Sequence, residues 1–207
     1  MLSIGKPLLA TALGGLVLVA CQVNIPPLAG PGQVALQQGD LPADLKRCPA
    51  SGSIDDYLNE LAAHDTRGHA TIEKGWRQLQ TAGAAEGAMT VYSARSQDCQ
   101  KQPGVGAGRL AATLVARFDS DRAAASAYPR GAIGFPTPGQ DQEEPGLRQG
   151  VATQLSPKSW LLEREVGGKA LDVAYWQRAS YTIFFVGVDL DTVEANRALV
   201  AVDGRAG

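Results

Sequence analysis

The stretch YTIFFVGVDLDTVEANRALVAVD, residues 181–203, carries the two signals that decide the fold. It begins with a nearly continuous apolar run of the length of one strand. Asp189-Leu190-Asp191 follows, and Ala195, Leu199 and Val202 then recur on one side of a helix. The stretch therefore predicts a buried strand that leads directly into a helix.

The same order occurs earlier in the chain, in RLAATLVARFDSDRAAASAY, residues 109–128. Apolar residues alternate there as in a strand, Asp119-Ser120-Asp121 follows, and an Ala-rich helix is stopped by Pro129. The two stretches therefore indicate an internal repeat of strand, Asp-x-Asp and helix.

The resemblance extends upstream of both stretches: AMTVYSAR (88–95) is similar to ALDVAYWQR (170–178), and Gly75-Trp76 to Ser159-Trp160. We therefore expect two copies of a β-hairpin, a strand and a helix, over about 72–129 and 151–203.

The repeat makes three finer predictions. Trp76–Ala82 becomes a strand, because its counterpart SWLLEREV is strand-like, although TIEKGWRQLQ also fits a helical face. Val151–Leu155 becomes an extra edge strand, and the Gly- and Pro-rich residues 131–150 become the loop between the halves.

SIDDYLNELAAH, residues 53–64, predicts an N-terminal helix capped by Ser53. The predicted fold class is α+β, an antiparallel sheet with its helices mainly on one face. We expect a single domain over 47–204.

The N-terminus has the layout of a secretory signal, with Lys6 before a short apolar run from Pro7 to Ala20. The run is too short to cross a bilayer, which needs about 20 helical residues. Its last residues, Leu18-Val19-Ala20-Cys21, resemble the lipobox of bacterial lipoproteins.

The resemblance implies a signal peptide over 1–20 and a mature chain that begins at Cys21, which carries diacylglycerol and often a further acyl chain. The membrane is then a partner through Cys21, because two or more acyl chains give stable attachment. Gln22, rather than Asp, permits export onward in two-membrane bacteria. We expect a lipid-anchored domain on the extracytoplasmic side of the cell membrane or outer membrane. An ordinary cleavable signal with a free Cys21 is the alternative.

Residues 21–46 are rich in Pro and Gly and show no apolar periodicity, which predicts a flexible tether. Lipidation of Cys21 leaves Cys48 and Cys99, and outside the cytosol such a pair usually forms a disulfide.

The totals of 19 Lys+Arg and 21 Asp+Glu give no basic field for nucleic acid. The glycines of PGVGAGRL (103–110) precede a strand, which indicates a loop rather than a phosphate cradle. His64 and His69 lack further ligands, and Glu143-Glu144 lie in a loop. We expect no metal, no cofactor and no catalytic residue.

The Asp-x-Asp pairs allow two interpretations. Asp119, Asp121, Asp189 and Asp191 could form a Ca²⁺ or Mg²⁺ cage if a pseudo-twofold axis relates the halves. The favoured interpretation is helix capping, because each pair lies between a strand and a helix.

Aromatic residues crowd the second copy. Neighbours in a strand point to opposite faces, so Tyr175 and Trp176 share a core only if the sheet is buried on both sides. Otherwise some rings line a groove, and Trp160, Tyr175 and Trp176 become the candidate ligand-binding residues.

The sequence thus predicts a non-enzymatic envelope lipoprotein that binds a protein or a small apolar ligand. The alternatives are a hydrolase assembled from scattered carboxylates and a purely structural envelope component.

Replacing the lipid-bearing thiol tests the anchor. Cys21→Ala should move the protein from the membrane fraction to the soluble fraction, because the acyl chains supply the attachment. Fractionation followed by immunoblotting measures this, and a variant that still partitions with membranes like the wild type would refute the anchor.

Overall fold

The computed structural model describes residues 29–139 and 141–207, so the predicted signal peptide and Cys21 lie outside the described residues. Within the described part, no helix combines the length and apolar character that a membrane crossing requires.

The described chain is an α+β fold built on an antiparallel sheet of eight strands, which confirms the predicted class. The helices are α1 (Pro31–Val34), α2 (Ile54–His64), α3 (Thr66–Thr81), α4 (Asp121–Ala127) and α5 (Thr192–Ala206). The strands are β1 (Lys46–Arg47), β2 (Gly52–Ser53), β3 (Ala84–Ser93), β4 (Leu110–Phe118), β5 (Leu147–Gln149), β6 (Ser159–Val166), β7 (Lys169–Arg178) and β8 (Tyr181–Val188).

The sheet runs in the order β1-β3-β4-β8-β7-β6-β5, and β2 also pairs with β3. The last four strands form a meander, and β8 returns to lie beside β4 in the centre. Leu110 faces Val188 and Arg117 faces Tyr181, so β4 and β8 run in opposite directions over their whole length.

Every residue of β8 is buried, which places this strand between two apolar layers. We call the side that carries Leu114, Phe184 and Val186 the front face, and the side that carries Val115 and Phe185 the back face. Because strand side chains alternate, a strand that is apolar throughout needs cover on both faces.

Helices α2, α3 and α4 cover the front face, and α1 and α5 cover the back face. The predicted N-terminal helix is α2, and the Ser53 hydroxyl accepts the Asp56 N–H at 3.1 Å. Most helices therefore lie on one face, as expected. Helices α1 and α5 form a second layer behind the sheet.

The repeat is visible in the order of elements, since β3-β4-α4 and β7-β8-α5 each give hairpin-paired or neighbouring strands followed by a helix. The two helices nevertheless lie on opposite faces, with Ala124 in the front core and Ala198 in the back core. The likeness is thus one of sequence order and not a twofold symmetry.

The prediction of a strand at Trp76–Ala82 is wrong, because these residues form the end of α3. Ile72, Trp76 and Leu79 fall on one helical face and are buried in the front core. The helix begins at a cap in which Asp65 accepts the Gly68 N–H at 2.8 Å. The likeness to SWLLEREV does not extend to secondary structure, because the apolar residues of this segment recur with a helical period.

The prediction of an edge strand at Val151–Leu155 is also wrong. Gly150–Thr153 is a 3₁₀ turn, Val151 is 82% exposed, and Gln154 ends the turn at φ 62°. The edge strand is instead β5, just upstream, within the stretch expected to be a loop.

Residues 29–46 differ from the expected flexible tether. Val34, Leu36, Leu41 and Leu45 are buried in the back core. Polar contacts add to this packing: the Leu36 N–H donates to the Thr113 hydroxyl at 3.2 Å. The folded part therefore extends upstream at least to residue 29.

Cys48 and Cys99 form a disulfide with their Cα atoms 5.3 Å apart, as expected. It ties the residue after β1 to the connection between β3 and β4. In the chain-entropy description, a closed loop of this size contributes about 4 kcal/mol to stability.

Arg205 fixes the N-terminal residues to α5. Its guanidinium donates to the carbonyls of Val34 and Ala35, and to both carboxylate oxygens of Asp40 at 3.0 and 2.6 Å. Asp40 is 8% exposed, and the removal of one partner from a buried ion pair is costly.

We expect Arg205→Met to lower the free energy of unfolding by about 1–3 kcal/mol, because it leaves a buried carboxylate without its cation. Arg197→Met is the matched control on the exposed side of α5 and should change it by less than about 0.5 kcal/mol. Urea denaturation measures both, and equal effects would contradict the role of Arg205.

Candidate functional site

An apolar cavity of about 370 Å³ lies on the front face, between the two halves of the chain. Its floor combines strands of both halves: Met89, Ala112 and Leu114 from β3 and β4, and Val173, Phe184 and Val186 from β7 and β8. Ligand pockets typically occupy roughly 300–1,000 Å³ and are mostly apolar, and the cavity fits this description.

The floor follows the register of the sheet. One cross-strand row runs from Met89 through Leu114 to Phe184, and the next row runs from Ala112 through Val186 to Val173. Because side chains alternate between the two faces of a strand, these two adjacent rows lie side by side on the front face. They form a continuous hydrocarbon surface with no polar side chain in it.

The roof of the cavity comes from three separate segments, one helix and two loops. Ile72 projects from α3, residues 102–105 cross from the β3–β4 connection, and Ile133 and Phe135 come from the loop after α4. The disulfided Cys99 lies three residues before the second of these segments, so the disulfide limits how far that part of the roof can move.

Ile133 and Gly134 form a tight turn closed by hydrogen bonds between Ala132 and Phe135, of 3.0 and 2.9 Å. Both turn residues have positive φ, 48° and 79°, as type I′ turns require. For a β-branched residue such as Ile133 this conformation is strained, and strain of this kind is concentrated at ligand clamps and active sites.

Helix α3 approaches this turn closely at Gly75. A Cβ atom built there would lie 2.8 Å from Cα of Ile133 and 3.0 Å from its backbone nitrogen. A residue without a side chain is therefore needed for the turn to seat against the helix and to present Phe135 to the cavity.

The mouth of the cavity is marked by partly exposed apolar side chains. Val105 and Val166 are 42% and 36% exposed, both line the cavity, and Lys169, the partner of Val166 across the strands, reaches the Val105 carbonyl at 3.5 Å. Large apolar side chains gathered at one opening are typical of a binding site rather than of scattered surface residues.

Two cations flank this mouth. Arg164 lines the cavity and pairs with Glu144 of the loop that follows α4. Lys169, at the start of β7, donates through Nζ to the carbonyl of Ala107 at 2.5 Å. Apart from Gln102 and Arg164, the described lining residues are apolar or glycine.

None of the predicted ligand-binding rings lines this cavity. Trp160, Tyr175 and Trp176 are at most 2% exposed and lie outside the lining of the cavity. Trp176 lies in the back core. The prediction that the sheet is buried on both sides accounts for all three residues.

Trp160 and Tyr175 instead extend the floor row beyond Phe184, under other aromatic rings. Phe135 lies between Trp160 and Phe184, at centroid distances of 6.4 and 5.4 Å. Tyr128 stacks on Tyr175 at 5.2 Å, and burial raises the pKa of the Tyr175 hydroxyl. Trp160, Tyr175 and Tyr128 thus adjoin the deep end of the cavity, beyond Phe135 and Phe184, without lining it.

The antiparallel sheet separates the two Asp-x-Asp pairs. Because β4 and β8 run in opposite directions, Asp119 and Asp121 follow one end of the sheet and Asp189 and Asp191 the other. The ends lie about 23 Å apart at 3.3 Å per residue, which rules out a shared cation cage.

Capping accounts for the second pair. The Asp191 carboxylate accepts the Glu194 N–H at 2.9 Å, and the Glu194 carboxylate accepts the Asp191 N–H at 2.9 Å. The two hydrogen bonds form a capping box. In the first pair the cap is Ser120, which accepts the Ala123 N–H, and Asp121 lies in the first turn of α4.

The other polar candidates lie apart from one another. His64 is exposed at the end of α2 and contacts Glu60 at 3.4 Å, and His69 lies in α3. Across the described residues, no group of three or more His, Cys, Asp or Glu side chains has an arrangement that could hold a metal ion.

The carboxyl group of Asp172 has a raised pKa, and it lies on the back face. Asp172 faces Glu163 across the strands, and Glu163 pairs with Arg148 at 2.9 Å. Burial, and next the charge of Glu163, raise the pKa of Asp172 to about 6. This pair is separated from the front-face cavity by the thickness of the sheet.

Comparison with models of known protein families and with characterised proteins finds no match for this chain. The geometry of the cavity and the residues of its mouth are therefore the basis for proposing a function.

Gly75→Ala tests the close approach that shapes the cavity roof. The new methyl group should lower the free energy of unfolding by about 1–3 kcal/mol through overpacking, despite the better helix propensity of Ala. Gly204→Ala in α5 is the control, because no atom lies within 4 Å of its Cβ position.

The control should be neutral or stabilise by up to about 1 kcal/mol. Urea denaturation compares the two variants, and a stabilised Gly75→Ala protein would show that α3 does not hold the turn.

Proposed function

We propose that the protein is a lipid-anchored, extracytoplasmic binding protein that holds a small apolar ligand in the front-face cavity. The observation that carries the proposal is the combination of an apolar cavity between the two halves with a mouth of exposed apolar side chains. The site binds by burying apolar surface, at roughly 25 cal/mol per Å², and needs no catalytic group.

The position of the N-terminal residues supports a division between anchoring and binding. The Tyr181 hydroxyl donates to the carbonyl of Ala29, behind the sheet, at the start of β8. The mouth lies in front of the sheet near Leu171, which faces Val188 at the other end of the same strand.

The covalent link to the anchor is short. Cys21 and Ala29 are eight residues apart, a reach of at most about 28 Å. The proposed attachment is therefore close to the back of the sheet, and the mouth points to the side remote from it. This arrangement favours uptake of the ligand from solution or from another envelope protein.

The hydrolase alternative has a weaker basis. Its best starting point is Asp172 with Glu163, but this pair adjoins the back core and not the cavity. A role in binding an envelope protein draws on the same exposed residues of the mouth, and the cavity behind them favours a small ligand.

Binding of the neutral apolar dye N-phenyl-1-naphthylamine tests the proposal on the soluble domain that begins at residue 22. We expect saturable binding with a rise in dye fluorescence, and a thermal midpoint that increases with dye concentration, because a ligand of the native state stabilises it. Absence of saturable binding would overturn the proposal.

Ala112→Phe locates the binding. Ala112 lies in the cavity floor and is 2% exposed, so the larger ring fills space that the dye needs. Dye affinity should fall at least tenfold, while Ala170→Phe at an exposed position of β7 should leave it unchanged. Equal affinity in both variants would place the dye elsewhere.

A further inference from the structure

We infer that the ligand is an acidic amphiphile, whose hydrocarbon body lies in the front-face cavity and whose anionic head group lies at the mouth between Arg164 and Lys169. This inference rests on the proposed function and specifies the chemical class of the ligand.

The inside of the cavity selects the body of the ligand. Its floor consists of Met89, Ala112, Leu114, Val173, Phe184 and Val186, which offer no side-chain hydrogen bond. A polar group placed there would lose its water without replacement, at a cost of several kcal/mol on the scale of transfer to hydrocarbon (about 4–8 kcal/mol). The part of the ligand that enters is therefore hydrocarbon or aromatic.

The polarity of the site changes along one strand pair. On the front face, Val173 faces Leu162 in the floor, and the next pair outward is Leu171 with Arg164. The pair after that is Lys169 with Val166, at the end of the hairpin. Moving outward along the cavity, a ligand thus passes from hydrocarbon to two cations over about 7–14 Å.

Lys169 and Arg164 each keep N–H donors that can bind a head group at the mouth. Lys169 uses its ammonium group on the carbonyls of Ala107 and Val105, at 2.5 and 3.5 Å, and an ammonium has three donors. Arg164 pairs with Glu144 through one terminal nitrogen, and a guanidinium has five donors. These two cations and Glu144 together leave a net positive charge at the mouth.

A head group of the opposite sign is the one that this mouth attracts. An anion gains charge-assisted hydrogen bonds from Arg164 and Lys169, and a cation is repelled by both. A neutral head gains only ordinary hydrogen bonds and makes no use of the charges.

Three twelve-carbon probes that differ only in their head groups test the inference: dodecanoate, dodecanol and dodecyltrimethylammonium. Each is titrated, below its aggregation concentration, against the bound naphthylamine dye. We expect dodecanoate to displace the dye at about five- to tenfold lower concentration than dodecanol, and dodecyltrimethylammonium to be the weakest. Salt at about 0.5 M should reduce the advantage of dodecanoate and leave dodecanol unchanged.

Arg164→Gln, Lys169→Gln and the double variant assign the effect to residues. In the double variant dodecanoate should bind no better than dodecanol when each is titrated against the dye bound to that variant. Arg122→Gln, exposed on α4, is the matched control and should behave as the wild type.

The outcomes separate the two proposals. Equal affinity for dodecanoate and dodecanol in the wild type, or a preference for dodecanoate that survives in the double variant, overturns the acidic head group and leaves the apolar binding site standing. If neither the dye nor any probe binds, the proposed function fails and the inference fails with it.

Discussion

The structure depends on one constraint: its central strands are apolar on both sides. Ile183, Phe184 and Phe185 in β8 are each 4% exposed or less, and β4 beside it is buried almost throughout. A sheet with two apolar faces is stable only when two layers cover it. The back layer of α5 and the N-terminal residues packs against the sheet, and the front layer of α2, α3 and α4 leaves the cavity where loops bridge the floor.

The same constraint explains why the Pro- and Gly-rich N-terminal stretch is part of the fold. Helix α5 packs against β7 and β8, and residues 31–36 pack against β3 and β4. Buried Thr113 shows the fit: its hydroxyl accepts the Leu36 N–H and lies 2.8 Å from the hydroxyl of Thr90. Composition alone predicts a tether here because it weighs polarity and helix breakers, whereas five buried apolar residues and a few specific polar contacts suffice to order a short segment.

The sequence predicts local order well and long-range placement poorly, for a physical reason. Periodicity identifies β4, β8, α2 and α5, since each of these elements shows its own pattern of buried positions. It does not say which face a following helix will cover, so α4 and α5 appear equivalent until the sheet is assembled. The cavity is even harder to predict from the sequence, because its roof combines Ile72, Val105 and Phe135 from three separate segments. The strained turn at Ile133 leaves no sequence signal at all, since isoleucine rarely adopts positive φ.

Trp160, Tyr175 and Trp176, the rings that the sequence offers as ligand-binding candidates, lie in the half of the chain that borders the cavity but do not line it. Trp160 and Tyr175 lie in the row that ends the cavity, but they are covered by Phe135 and Tyr128. Large rings bury the most apolar surface and these three lie in the core, whereas the adjacent row of the cavity floor is made of the smaller side chains Ala112, Val186 and Val173. The order of polarity along β6 and β7, from Leu162 and Val173 outward to Arg164 and Lys169, is therefore the better starting point for a functional hypothesis, because it places a boundary between hydrocarbon and charge at the mouth of the cavity.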